Sequence, residues 1–359
     1  MKSVTIYTPG STKAYYNAFY YLQNKRRLKV TLINSRFFYQ LLTKINNHLR
    51  IFRLIRRILT GKSNKAKFEP SWKEIFQSLI SPIILLFKKN IILGFNPYDN
   101  IIYYLIILKF LRKNIIFDTS WAYWDTKKYV KKPILISRFL WKLFLKKTKT
   151  FSCNKTALNS LKHYGIKPYY LPHSINTDLF GPKAKKSKEI KVLYVGRLIR
   201  EKGIKGIIKA SEKFPECTFV FVGDGPLKRI INKKNTMHLP FVKNTGLSDI
   251  YNSSDIFILN SYSTKKWEEW FGISLIEAMS CGLSCISTNC VGPKEIIKNN
   301  KDGILIPQKD QNALEHAIRG LIKNKRLREK IGENARKTAL GFDVSYWSRK
   351  AENMICEDV

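Results

Sequence analysis

Short apolar runs along the chain alternate with longer stretches of mixed periodicity. Residues 2–7 read as a first strand, Pro9-Gly10-Ser11 as the loop after it, Lys13–Lys25 as a helix and Val30–Asn34 as a second strand. Further strand-like runs stand at Ile91–Gly94, Ile115–Asp118 and Thr150–Ser152, with helical patterns between them. Strands separated by helices predict a parallel α/β sheet. The runs ISPIILLF (80–87) and IIYYLIIL (101–108) fall short of the ~18 apolar residues that cross a bilayer. Lys or Pro interrupts each within a few residues, so they read as buried strand or helix.

From Tyr169 to Ile190 the sequence turns polar, lysine-rich and proline-bearing, which places the domain linker there. The α/β pattern then restarts. IKVLYVG (190–196) and CTFVFVGDG (217–225) are strands that end in glycine. IFILNS (256–261), CISTN (285–289) and GILIP (303–307) follow, each succeeded by a helical pattern. A last amphipathic helix is expected over about Val344–Ile355. The organisation predicted is 1–170 and 171–340 as two Rossmann-like, doubly wound domains, with 341–359 as a terminal helix. In such open sheets ligands bind at the carboxyl ends of the strands.

Composition sharpens this picture. At 359 residues, 44% hydrophobic and 13% aromatic, the chain is long and apolar enough for two cores, which excludes a disordered protein. The net charge is +39, and residues 1–180 hold 33 Lys and Arg against 6 Asp and Glu. That half therefore meets an anionic partner or surface. Within it, residues 37–59 repeat Leu41, Ile45, Leu49, Phe52, Ile55 and Leu59 at steps of mostly three or four, with Lys44, Arg50, Arg53, Arg56 and Arg57 opposite. This is an amphipathic basic helix, either packed with a solvated face or lying on anionic lipid headgroups. Nucleic acid is a rival partner on charge alone, but no zinc finger or RRM signature accompanies the charge, so none is expected. The six cysteines form no CxxC and the start shows no signal peptide, which reads as free thiols in a reducing cytosol. Cys281, Cys285 and Cys290 lack a nearby His and metal-site spacing, so they read as buried thiols and no metal is expected.

Three stretches carry chemistry. In VGRLIREKG (195–203), Gly196 ends a strand, Arg197 emerges from the loop, and Lys202 stands where the next helix opens. Two cations by a helix start suit a diphosphate, and equally a solvated basic turn. In VGDGP (222–226), Gly223 and Asp224 form a glycine turn whose acid holds either the loop or a ligand hydroxyl. In EEWFGISLIEAMSCG (268–282), a helix is expected from near Gly272 to about Cys281. Its free N–H groups suit a phosphate. Glu269 precedes it and Glu277 lies about a turn inside, so a sugar and a ribose can each meet a carboxylate. A solvated acid is the plainer reading, and it suits Glu268 better than Glu277.

G-R-x-x-x-E-K-G (196–203), V-G-D-G-P (222–226) and E-x-F-G-x-x-x-x-E-A-M-x-C-G (269–282) occur in that order. SDIYNSSDIFILNS (248–261) and VGPKEIIKNNKDGILIP (291–307) add to the series. Together they resemble glycosyltransferase family 4, the group 1 glycosyltransferases. The resemblance covers about Tyr169–Asn353 and implies the GT-B fold, with two doubly wound domains facing across a cleft and the C-terminal helix packing back toward the N-terminal domain. It implies that 1–170 binds the acceptor and 171–340 the nucleotide sugar. Glu269 would contact the transferred sugar and Glu277 the ribose. Arg197 and Lys202 would neutralise the diphosphate. Backbone around Phe271, Gly272, Ile273 and Ser274 would touch sugar and phosphate, and the base would lie near His238 and Leu239, on a loop after a strand. The implied reaction is retaining transfer of a hexose-type sugar, from a UDP- or GDP-sugar, without a metal or other cofactor. The acceptor implied is lipid-linked or a surface glycan, at the cytoplasmic face of the membrane, where the enzyme would sit peripherally. The chain departs from the family in FDTSWAYWDTKKY (117–129), which lacks the His many members carry. Asp118 and Asp125 are candidates for its catalytic place, and Trp121 for an acceptor contact or for packing. Gly10 and Ser11 match the family's N-terminal glycine loop in position. His173 is expected to be a linker or interdomain residue.

Overall fold

The computed structural model describes residues 1–9, 13–34, 72–124, 135–184, 189–265 and 267–356. Gly10, Ser11, Asp125 and the basic helix expected over 37–59 lie outside the described residues. Two compact units emerge. One comprises residues 1–152, 157–171 and 350–359; the other comprises 153–156 and 172–349.

The first unit is built on a six-stranded parallel sheet of order β2-β1-β3-β4-β5-β6. Its strands are β1 (Lys2–Thr8), β2 (Leu28–Asn34), β3 (Asn90–Gly94), β4 (Asn114–Asp118), β5 (Lys149–Ser152) and β6 (Tyr169–Tyr170). The helix expected over 13–25 begins instead as a 3-10 turn, Lys13–Tyr16, before α1 (Asn17–Asn24). The helices that follow are α2 (Trp72–Leu86), α3 (Ile101–Phe110), α4 (Leu135–Lys146) and α5 (Lys155–His163). Both strands and helices bury Val, Ile, Leu and aromatic side chains, the composition of a sheet covered on its faces. Ile91, Leu93, Ile115 and Phe117 of the central strands are fully buried, packed with Trp124 and Trp141. The runs at 80–87 and 101–108 fall in α2 and α3. They are not wholly buried as expected, because one line of each helix faces outward: Ile83 is 57% exposed and Ile107 53%. Among the described residues no helix is long and apolar enough to cross a membrane.

The second unit repeats the plan with sheet order β12-β11-β10-β7-β8-β9, again parallel. Its strands are β7 (Lys191–Val195), β8 (Thr218–Val222), β9 (Thr236–Leu239), β10 (Ile256–Leu259), β11 (Ser284–Thr288) and β12 (Ile304–Ile306). Its helices are α6 (Ile204–Ser211), α7 (Asn244–Asn252), α8 (Ile273–Ser280), α9 (Val291–Ile296), α10 (Gln311–Lys323) and α11 (Lys325–Ala339). Asp310 and Asn324 cap α10 and α11 by accepting from the N–H groups of Ala313 and Leu327, which satisfies orphan donors of the first turns. The last helix, α12 (Val344–Cys356), ends among residues of the first unit, where Arg27 donates to Glu352 at 3.0 Å. From β7 the chain moves outward to β8 on one side and later to β10 on the other. The switch point of this sheet therefore lies between β7 and β10, at their carboxyl ends.

Candidate active site

The loops after β7 and β8 are locked backbone to backbone. Gly196 N–H donates to the Val222 carbonyl (2.9 Å), Leu198 N–H to the Asp224 carbonyl (2.8 Å) and Gly223 N–H to the Leu239 carbonyl (3.0 Å). A Cβ on Gly223, whose φ is +135°, would stand 2.1 Å from the Gly196 carbonyl oxygen. That glycine thus admits a neighbouring backbone. Asp224 holds the same turn: its carboxylate accepts from Gly225 N–H (2.7 Å) and pairs with Lys228 (3.1 Å), which keeps its pKa below the usual range. His238 and Leu239 are the last residues of the edge strand β9, not a loop, because their backbone completes the ladder with Phe221 and Val222. The His238 ring nitrogen Nε2 lies 2.8 Å from the Gly223 carbonyl, so the ring rests against the glycine turn.

Across the switch point two predicted site residues meet. Lys202, after β7, forms an ion pair with Glu269, from the loop after β10, and both side chains are 12% exposed. Ser261, at the end of β10, donates to the same carboxylate oxygen (3.0 Å), and the Lys202 ammonium lies 5.3 Å from the Trp267 ring centroid. Arg197 is exposed on the loop beside this pair in sequence. So Glu269 takes up the charge of Lys202, while Arg197 extends into solvent.

The stretch from Glu268 to Gly272 is pressed against the start of α9. Gly292 N–H donates to the Glu269 carbonyl (2.9 Å), and a Cβ at Gly292 would stand 2.3 Å from the Phe271 backbone. Glu268 is buried, contrary to its expected place in solvent, because its carboxylate accepts from Val291 N–H at 3.2 Å. Gly272, at φ +105°, turns the chain into α8, whose first residues Ile273 and Ser274 are half-buried. Phe271 packs edge-on against His173 and Phe342, with centroids 5.0 and 5.7 Å away. His173 thereby packs on the loop that opens α8.

Glu277 is a carboxyl held in an apolar helix. It is 7% exposed, among Leu275, Ile276, Ala278 and Met279, all buried. Tyr251, itself fully buried on α7, donates to its Oε2 at 2.9 Å. Desolvation raises the Glu277 pKa to about 7, and the Tyr251 hydrogen bond opposes that rise. The thiols of Cys281, Cys285 and Cys290 are buried and their pKa values are raised by desolvation, which leaves them poor ligands and poor nucleophiles.

In the first unit, Asp118 ends β4 beside Gly94 of β3. A Cβ on Gly94 would lie 2.8 Å from the Tyr16 hydroxyl, 3.5 Å from Thr8 Oγ1 and 3.7 Å from Asp118 Oδ2. Gly94 therefore leaves room for the Tyr16 hydroxyl on the same side as the Asp118 carboxylate. Burial raises the Asp118 pKa to about 7, against the lowering effect of the nearby Tyr16 hydroxyl. Trp121 is half-buried and donates from Nε1 to the Tyr123 carbonyl (3.0 Å), while Trp124 is a core residue.

Residues 176–338 match the family model described as "Glycosyl transferases group 1". The sulfoquinovosyl transferase SQD2 of Arabidopsis thaliana is 31% identical over 45% of the chain and 32% of its own length. The N,N'-diacetylbacillosaminyl-diphospho-undecaprenol alpha-1,3-N-acetylgalactosaminyltransferase of Campylobacter jejuni is 26% identical over 58% of the chain and 54% of its own. The chain thus spans a third to about half of these curated relatives. Sucrose-phosphate synthase from Thermosynechococcus elongatus superposes with a TM-score of 0.72 at 16% identity, covering 99% of this chain and 98% of that one. The fold is accordingly GT-B. In the second unit the sequence motifs point to Lys202, Glu269 and Glu277 but pass over Tyr251, Ser261 and Trp267, which hold them. Ser261 had a signal: it stands two residues after a strand at the switch point. Tyr251 had none, since its partner is 26 residues away on another helix.

Proposed function

We propose that the chain is a retaining glycosyltransferase that moves a hexose-type sugar from a nucleotide diphosphate donor, UDP- or GDP-linked, to a lipid-linked or surface-glycan acceptor at the cytoplasmic membrane face. The observation that carries this reading is the Lys202–Glu269 pair spanning the switch point, with the N-terminus of α8 opening from the same loop. An ammonium, the exposed Arg197 guanidinium and free helix N–H groups together stabilise a departing diphosphate, the role a metal fills elsewhere. Donor phosphate would draw Lys202 away from Glu269, and Glu269 would then accept from sugar hydroxyls. Glu277 would accept from the ribose, and a ligand hydroxyl there adds a donor to that of Tyr251. The transferred sugar keeps its configuration if the acceptor attacks on the face the diphosphate leaves, with the leaving phosphate taking the acceptor's proton. Asp118 would meet the acceptor. Asp125, Gly10, Ser11 and Trp121 remain acceptor-side assignments of the same proposal. The membrane part is in keeping with the relative from Campylobacter jejuni, whose name describes an undecaprenol-linked acceptor.

The test is a thermal-shift and hydrolysis panel of UDP-, GDP- and ADP-sugars on the wild type and Arg197→Ala. A sugar nucleotide that stabilises the wild type and shifts the variant less supports the donor site. No shift by any donor sinks it.

A further inference from the structure

The first unit carries an outward layer that the donor site does not use. The chain passes from β2 to β3, β4 and β5 in one direction across the sheet, so α2, α3 and α4 lie side by side on one face. Tyr104 of α3 donates to the Pro82 carbonyl of α2 (2.6 Å), and Trp141 of α4 to the Asp99 carbonyl that precedes α3 (3.2 Å). Each helix presents an apolar line to solvent: Ile83 and Phe87, Ile107 and Phe110, Phe139 and Leu143 are all exposed. Single exposed apolar residues are ordinary; three adjacent lines of them form a patch that marks an interaction surface.

Charge says what the surface meets. Residues 80–113 and 135–147 hold nine Lys and Arg and one acid, Asp99. In a parallel sheet all helix–strand junctions of this layer fall at the amino-end edge. Lys88-Lys89, Arg112-Lys113 and Lys146-Lys147 stand there, at the ends of the three helices, with the Lys113 ammonium donating to the Leu86 carbonyl. Burial and the charge of Lys147 together lower the Lys109 pKa, so like charges crowd this layer. Arg112 occupies the left-handed region (φ 53°), where glycine is the favoured residue, so a cation stands there against backbone preference.

We propose that the outer face of α2, α3 and α4, rimmed by these basic pairs, docks on an anionic lipid bilayer, the exposed Phe, Ile and Leu entering the headgroup boundary and the cations meeting lipid phosphates. The apolar lines distinguish this from a nucleic-acid surface, which needs cations but not aliphatic groups. A second copy of the chain would bring two cationic faces together, and the segment 37–59 is itself basic. Neither complements the rim. The inference deepens the membrane part of the proposed function and does not depend on the donor.

Co-sedimentation of the full chain with vesicles tests it. The chain is expected to bind mixed phosphatidylcholine–phosphatidylglycerol vesicles, to bind phosphatidylcholine vesicles far less, and to be released by salt. Lys146→Gln/Lys147→Gln should weaken partitioning about 10- to 30-fold. Phe87→Ser/Phe110→Ser should weaken it at least about tenfold, and Phe139→Ser/Leu143→Ser serves if the first pair folds poorly. Wild-type affinity for anionic vesicles in these variants overturns the proposal, as does no vesicle binding. A dimer that the Phe variants dissolve, or tight DNA binding that only the Lys variant loses, overturns it in favour of another partner. Sugar-nucleotide thermal shifts measured on the same samples separate this outcome from that of the donor reading. Shifts without vesicle binding sink the docking surface alone, and vesicle binding without shifts sinks the donor site alone.

Discussion

Replacing Glu277 by Gln keeps the shape of the side chain and removes its charge. The carboxyl is 7% exposed, it accepts from Tyr251, and its pKa rises from 4.5 to about 7 on folding. A raised acid binds its proton more tightly in the folded state. Between about pH 4.5 and pH 7 the folded chain therefore holds more protons than the unfolded one, and stability falls as pH rises through that window. The fall amounts to at most about 3 kcal/mol, from about 2.5 units at 1.36 kcal/mol each. Glutamine still accepts from Tyr251 and does not ionise. Glu277→Gln should therefore equal the wild type near pH 4.5 and exceed it at pH 8. For a unit of this size 3 kcal/mol corresponds to roughly 6–12 °C in Tm. Thermal unfolding followed by circular dichroism at a series of pH values reads the difference directly. A variant less stable than the wild type at pH 8, or one whose advantage does not grow with pH, refutes the picture of a destabilising buried carboxylate. A group that costs stability in the free protein and is relieved by a ligand is what a binding residue looks like in energetic terms.

Gly223→Ala places a Cβ 2.1 Å from the Gly196 carbonyl at φ +135°, and should cost at least about 2 kcal/mol in urea denaturation; a neutral result contradicts the backbone lock. A double-mutant cycle of Lys202→Met and Glu269→Gln should give a coupling of about 1–3 kcal/mol in the unliganded protein, and additive effects would mean the pair does not form. Tyr16→Phe removes the hydroxyl that lowers the Asp118 pKa, so carboxyl NMR titration should find that group above its wild-type value of about 7, and an unchanged titration refutes that influence. Gly94→Ala should move Asp118 in the same direction, by pushing the Tyr16 hydroxyl from a Cβ only 2.8 Å away.

Much of the fold was legible because its strands are short apolar runs ending in glycine or acid, and because period and length separate them from the helices between. The switch point followed from that order. Three misreadings share a cause. His238 and Leu239 looked like loop because β9 is an edge strand of four residues with mixed polarity. Glu268 looked solvated because nothing in its own stretch announces the Val291 N–H that donates to its buried carboxylate. The runs in α2 and α3 looked wholly buried because periodicity has no purchase on helices that are apolar nearly all round, as α3 is. In the site, residue types and spacing pointed to Glu269, Glu277, Arg197 and Lys202. They could not show that Lys202 and Glu269 hold each other, or that Tyr251 reaches Glu277, since those contacts join elements brought together only by the fold.

The central claim is that the crevice at β7 and β10 holds a nucleotide diphosphate sugar with Glu277 on its ribose. Isothermal titration of UDP-, GDP- and ADP-sugars into the wild type and Glu277→Gln at pH 8 tests it most directly, because the variant should be the more stable protein and any lost affinity cannot be unfolding. The account predicts that at least one sugar nucleotide binds the wild type and that the variant binds it about tenfold or more weakly. No binding by any sugar nucleotide, or equal binding by both proteins, would contradict it.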